Sequence, residues 1–187
     1  MSLPHALLTS LVEKPCSGYD LARRFDKSIG YFWHATHQQI YRELARMEEQ
    51  NWVQSEEVAG GRAGKRRFEV LAAGRAELQR WVLESSAPMR LRDDLMVRLR
   101  ADAALGSASL LAEFERRLQL HEQELANYRH IEARDFSAPC LSRETRLHYL
   151  ILKAGIAFEE GRIAWTKEAL QVLCAPPSLI AGDRRAD

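Results

Sequence analysis

One short hairpin interrupts a chain whose apolar residues otherwise fall at helical spacing, and that interruption restricts the fold more than any other feature. Trp52-Val53-Gln54-Ser55-Glu56-Glu57-Val58 reads as a strand running into Gly60-Gly61. The chain returns through Arg67-Phe68-Glu69-Val70-Leu71, where polar and apolar side chains alternate. Between the two runs lies Arg62-Ala63-Gly64-Lys65-Arg66, which with Arg67 puts four cations within six residues and no acid among them. A solvated loop can carry the same charge, so the meaning of the hairpin depends on its flanks.

Three helices are predicted before it and one after. Leu3-Pro4-His5 opens the first, with Pro4 suited to an initial helical position. Leu7, Leu8, Leu11 and Val12 supply its buried stripe, and Lys14-Pro15 ends it because the residue before proline avoids helical backbone. Ser17 can cap a second helix to about Ile29, with Leu21, Ala22, Phe25 and Ile29 inward and Gly30 as its stop. The third runs from Thr36 to Gln50. Ile40, Leu44 and Met47 recur at i, i+4 and i+7, so one side faces a core. At about 100° per residue the other side carries Gln38, Arg42 and Glu49, with Gln39, Arg46 and Tyr41 on its flanks. Thr36 can cap its start. A fourth helix spans Leu71 to Leu83, its apolar positions including Leu78, Trp81 and Val82.

Three helices, a two-stranded hairpin with a cationic Gly-rich tip, then another helix is the order of a winged helix-turn-helix, in a chain that is mainly α. In that arrangement the third helix enters the major groove and the wing straddles adjacent phosphates. Most amphipathic surface helices carry Gln, Arg and Glu; the neighbours give this one its meaning. Gln pairs in bidentate fashion with adenine and Arg with guanine. Gln38, Gln39, Tyr41 and Arg42 are therefore expected at base edges and nearby sugar or phosphate, with Thr36 and His37 at the start of the same helix. Tyr19, Arg62, Lys65 and Arg66 are expected on the DNA backbone.

Ser85-Ser86-Ala87-Pro88 separates this first domain, residues 1–85, from a second, residues 90–175; residues 176–187, opening with Pro176-Pro177 and polar after Ala181, read as a flexible tail. Arg92-Asp93-Asp94-Leu95-Met96-Val97-Arg98-Leu99 begins a helix with acids in its first turn, where the dipole favours them. Gly106-Ser107 interrupts it, and Ser107 or Ser109 can cap the next helix. Leu111, Phe114, Leu118, His121, Leu125 and Tyr128 then step by threes and fours, the spacing of a coiled-coil seam, with His121 as its polar interruption. From about Ser142 to Cys174 the rhythm repeats in Leu147, Ile151, Ala154, Phe158, Gly161 and Trp165. This last helix is apolar over a wider arc than one partner helix covers. The surplus predicts a homodimer interface at Leu147, Ile151, Ala154, Phe158 and Trp165. Two copies related by a two-fold axis read both halves of a palindromic operator in double-stranded DNA.

Composition excludes several other classes. A chain of 187 residues with a net charge of +1 makes any attraction to nucleic acid local rather than global. No run of about 18 apolar residues predicts a membrane span, and the N-terminus lacks the pattern of a signal peptide, so the expected location is the cytoplasm. Cys16, Cys140 and Cys174 are odd in number and widely spaced, as reduced thiols are; burial without reactivity is favoured over redox sensing. The six histidines are scattered among helices without metal-ligand spacing. No phosphate loop, nucleophile elbow or convergent carboxylate pair is present, so neither an enzyme, a metal nor a cofactor is expected.

These residues resemble the PadR-like winged-helix transcriptional regulators. The family's places are held here by Gly18-Tyr19-Asp20-Leu21, by His37-Gln38-Gln39-Ile40-Tyr41, by Gly60-Gly61 with Lys65-Arg66, and by Ala73-Gly74-Arg75. Arg92-Asp93-Asp94-Leu95 resembles the opening of the family's helical C-terminal domain of the virulence-activator type. Arg42 stands where proline is common, Leu71 where a capping Thr is usual, and Arg67 where an aromatic is common. The resemblance implies a homodimeric repressor or, less often, an activator. It also implies release from DNA by a phenolic acid or flat hydrophobic ligand near the dimer interface. Trp33, Tyr149, Phe158 and Trp165 are the aromatic candidates for that pocket, each of which also suits core packing. The competing expectation is a winged-helix adaptor that binds another protein, for which a cationic wing tip is unnecessary.

Overall fold

The computed structural model of the chain describes residues 3–27, 35–57, 66–87, 92–106 and 109–175. It divides into two compact units, Met1–Met89 and Arg90–Asp187. The first contains α1 (Leu3–Glu13), β1 (Cys16–Ser17), α2 (Gly18–Lys27), α3 (His37–Glu49), β2 (Val53–Glu57), β3 (Arg66–Val70) and α4 (Ala72–Val82). The second contains α5 (Asp94–Leu105), α6 (Leu111–Asp135) and α7 (Arg143–Cys174). The fold is mainly helical with a small sheet.

In the first unit the apolar stripes of three helices meet the inner face of the sheet. Leu7, Leu8 and Leu11 of α1, Leu21, Ala22 and Phe25 of α2, and Ile40, Leu44 and Met47 of α3 are all buried with Val53, Phe68 and Val70. Each of these side chains larger than alanine contributes roughly 1.5–3 kcal/mol by leaving water. The hairpin register pairs Val53 with Val70 and Ser55 with Phe68, which sets the alternating inward side chains on one face. Val12, expected in the α1 stripe, is instead exposed at its edge. Val82 and Leu83 at the end of α4 are also exposed. The expected stop at Ile29-Gly30 and the cap at Ser107 lie outside the described residues.

The sheet has a third member that periodicity does not suggest. Cys16 and Ser17 pair antiparallel with Phe68 and Arg67, giving the order β1-β3-β2. Two residues are too few to show alternation, and the pairing is made by backbone groups alone. α4 is fastened to the rest by close approach and by a buried histidine. A Cβ on Gly74 would stand 2.3 Å from the Trp52 carbonyl oxygen, so only glycine fits where that carbonyl, which also accepts from the Leu71 N–H, meets the helix. His5 of α1 stacks on Trp81, centroids 4.5 Å apart, and its Nε2 lies 3.0 Å from Glu77 Oε1. Arg80 donates to both oxygens of Glu77; these bonds from Arg80 and His5 hold the carboxyl down at about 2.

In the second unit α6 and α7 lie along each other. Phe114 and Tyr128 are buried at seam positions, and His121 Nδ1 meets Glu159 Oε2 at 2.5 Å, so the polar interruption is satisfied from the facing helix. The ring of Tyr128 lies close over Gly155, where an added Cβ would stand 3.0 Å away. The buried positions of α7 are Ile156, Glu159, Thr166 and Ala169. The stripe of Leu147, Ile151, Ala154 and Phe158 is thus not the one that packs on α6; it faces outward. At the C-terminal end Leu95 of α5 joins Phe114 and Ala169 in a second core, with Trp165 packed against it.

Candidate nucleic-acid interface

α3 begins with a reciprocal cap. Thr36 Oγ1 accepts from the Gln39 backbone N–H at 3.2 Å, and Gln39 Oε1 accepts from the Thr36 N–H at 2.8 Å. Thr-x-x-Gln is the residue signature of this capping box. Its consequence is functional. The Gln39 carbonyl oxygen is committed to the helix start, so a two-point contact to adenine from Gln39 requires the cap to open. Among the described residues Gln38 carries no such commitment.

The outer surface of α3 is otherwise open. Thr36, His37, Gln38, Gln39, Tyr41 and Arg42 line it, all of them exposed. Arg46, one turn further on, is neutralised by Glu43 at 2.9 Å. Arg42 has no ion pair among the described residues, which leaves its guanidinium available for the fork-like pairing that guanine accepts. Tyr41 is held by its ring: a Cβ on Gly18 would lie 2.6 Å from Tyr41 Cε1, so the aromatic face rests on the glycine backbone at the start of α2. A side chain at position 18 would therefore displace the Tyr41 ring from this place. Beside it Ser17 caps α2, accepting from the Asp20 N–H at 3.1 Å. Tyr19 is exposed and holds the Arg23 guanidinium 5.8 Å over its ring. Arg23 carries no signal in the sequence, since a lone basic residue one turn into a helix gains meaning only from the neighbour it meets.

Of the expected wing cations, Arg66 opens β3 and bonds Glu48 at 3.0 Å; Arg62 and Lys65 lie outside the described residues. An open recess of about 530 Å³ lies behind β1, lined by Lys14, Pro15, Cys16, Ser17, Asp20, Arg24 and Arg67. Burial pushes the Cys16 thiol up, which disfavours its thiolate.

The described aromatic candidates, Tyr149, Phe158 and Trp165, have separate surroundings. Tyr149 stacks on Phe136 at 4.9 Å and donates its hydroxyl to Glu132 at 2.6 Å. Trp165 packs against Phe114 at 5.6 Å, with the Arg162 guanidinium 4.8 Å from its ring. Phe158 is exposed. Tyr149 and Trp165 are sixteen residues apart on one helix, roughly 24 Å at 1.5 Å per residue. Trp33 lies outside the described residues. Among the described residues no cluster of His, Cys, Asp or Glu could hold a metal ion, and no helix is long and apolar enough to cross a membrane.

Comparison with known proteins assigns both units. Residues 7–80 match the transcriptional regulator PadR-like family, and residues 91–174 match the virulence activator alpha C-terminal domain. The chain is 44% identical over 185 residues to the "Probable transcriptional regulator Rv1176c" of Mycobacterium tuberculosis, covering 92% of this chain and 98% of that one. It superposes on the Vibrio cholerae virulence activator AphA with a TM-score of 0.77 at 32% identity, covering 92% and 98% of the two chains. It also shares the fold of Bacillus subtilis PadR, a negative transcriptional regulator. That protein solved with operator DNA gives a TM-score of 0.78 at 22% identity, covering 92% and 99%. Solved with p-coumaric acid it gives 0.75 at 21%, covering 94% and 100%.

Proposed function

The chain belongs to the PadR-like family of transcriptional regulators, which are not enzymes, and from that premise we propose that it acts as a homodimeric repressor of a palindromic operator, released by a small aromatic ligand. The observation that carries this is the exposed outer side of α3, where Arg42 stands without an ion pair among the described residues, next to Gln38 and Tyr41. The cationic wing tip argues against an adaptor, which does not need one.

Gln38 and Arg42 read base edges, while Tyr41, His37 and the caps at Thr36 and Gln39 keep the helix start against the sugar-phosphate chain. Tyr19, Arg62, Lys65 and Arg66 hold phosphates. Dimerisation is supported by the outward stripe of α7, where Leu147, Leu150, Ile151 and Phe158 are about half exposed. Trp165 belongs mainly to its own unit's core, so Leu147, Ile151, Ala154 and Phe158 carry the contact. Repression and release by a planar aromatic acid are supported by the PadR relative, a negative regulator solved with p-coumaric acid. A site for such a ligand needs the second copy, because Tyr149, Phe158 and Trp165 are spread along one helix.

Two substitutions test the DNA assignment together. Arg42→Ala is expected to cost roughly 1–3 kcal/mol in operator binding and to relax preference at one position of each half-site. Lys65→Ala is expected to weaken all sequences about equally and to flatten the salt dependence by about 0.9 per phosphate no longer neutralised. Titration of the operator and its single-base variants against both proteins at several salt concentrations separates the two effects. Unchanged affinity in both variants overturns the assignment.

A further inference from the structure

Glu48 joins the helix to the wing through one oxygen. Its Oε1 accepts from the Ser55 backbone N–H at 3.2 Å, from Ser55 Oγ at 2.5 Å and from Arg66 Nη2 at 3.0 Å. Glu48 sits in the last turn of α3, Ser55 at the middle of β2, and Arg66 at the first residue of β3. A single carboxylate thus reaches both strands of the wing, at the middle of β2 and at the turn-side end of β3. Its side chain is about one-third exposed and that of Arg66 about half exposed, so the pair contributes little to stability as a surface ion pair. Its geometry is more informative than its energy. The contact spans eighteen residues of sequence and fixes the angle at which the hairpin leaves the end of the helix. It also holds Arg66 by one terminal nitrogen, and among the described residues the rest of the guanidinium has no partner, leaving an edge open for a second anion.

We propose that Glu48 is a positioning residue for DNA binding: it aims Arg66 at a phosphate and so sets the wing's grip on the backbone. This rests on the DNA-binding reading of α3 and the wing. The sign of the effect separates it from the ordinary role of a surface acid. An acid close to DNA repels phosphate, so its removal by Glu48→Gln would tighten binding if it did nothing else. The amide of Gln still offers Ser55 an acceptor, while the charge that orders Arg66 is gone.

The test uses the full chain and an operator duplex in an anisotropy titration across a salt series, with the wild type, E48Q, R66A and the double variant. The expected result is binding several-fold weaker in E48Q. The slope of log affinity against log salt should be smaller by about 0.9 for each phosphate no longer neutralised. R66A should show the same reduction of slope, and the double variant no more than R66A alone. Ratios of affinity among half-site variants stay at their wild-type values, and melting temperatures stay within the range of an exposed substitution. Tighter or unchanged binding by E48Q overturns the proposal, as does an unchanged slope in R66A, which alters no residue of α3. A wild-type chain that binds no duplex removes the DNA reading itself, and this inference with it.

Discussion

Replacing Phe158 and Ile151 with glutamate is expected to turn a dimer into a monomer and to reduce operator affinity by about 10²–10⁴-fold, because the second half-site no longer binds intramolecularly. Both side chains are about half exposed in the single chain, so the substitutions leave α6 and α7 packed through Ile156, Glu159, Thr166 and Ala169. A two-fold interface doubles every change, so four carboxylates would face one apolar seam. Burying such charges without partners costs far more than the seam returns. Sedimentation should move from twice 21.4 kDa to 21.4 kDa with the helical circular dichroism unchanged. A double variant that still sediments as a dimer would mean that another surface joins the copies.

The second large effect is on stability and centres on Asp93. Its carboxylate caps α5, accepting from the Leu95 N–H at 3.0 Å, and it also takes Arg162 at 2.5 Å and Arg117 at 3.3 Å. Asp93 and Arg162 are largely buried and Arg117 mostly so. One side chain therefore ties the start of α5 to both long helices. Burial pushes the carboxyl up, but the Leu95 N–H and the guanidinium groups of Arg162 and Arg117 outweigh it, and the net direction is down. Asp93→Ala removes a cap worth about 1 kcal/mol and takes the carboxylate from the largely buried Arg162, while Arg117 keeps Glu113 and Asp94. The expected destabilisation is about 2–4 kcal/mol, since Arg117 retains some water and Glu113 as a partner. For a chain of this size that lowers the melting temperature by on the order of 10 °C. Asp93→Asn keeps the cap and loses the charge, so its melting temperature should fall between the two. A carboxyl lowered by folding stabilises above its unfolded value of 3.8, and that stabilisation disappears as the pH falls below it. Asp93→Asn should therefore flatten the decline in stability below about pH 4; an Asn variant as stable as wild type at pH 7 would remove Asp93 from this role.

Much of this architecture is legible in the residues themselves. The stripes of Leu7, Leu21, Phe25, Ile40, Leu44 and Met47 identify the core because helical spacing and burial are the same fact seen twice. Thr36, Ser17 and the Asp93-Asp94 pair announce helix starts through the chemistry of their short side chains. The hidden features depend on backbone pairing or on a third dimension. The strand at Cys16–Ser17 is two residues long and leaves no pattern. On α7 the packed side contains Glu159 and Thr166, so hydrophobicity alone ranks the outward stripe as the seam; only the facing His121 explains the buried acid. Within the site, exposure of Gln38, Tyr41 and Arg42 follows from helical phase. The commitment of Gln39 to the cap is readable from its spacing, whereas the reach of Glu48 to Ser55 and Arg66 is not, because it depends on where the hairpin crosses the helix.

Selection of duplexes from a random pool by the full chain, with sequencing of the bound fraction, tests the central claim most directly. Two copies reading with α3 should recover an inverted repeat whose half-sites are centred about one helical turn, roughly 10 base pairs, or a whole multiple apart. Recovery of no common sequence, or of a single unrepeated half-site, would contradict the account.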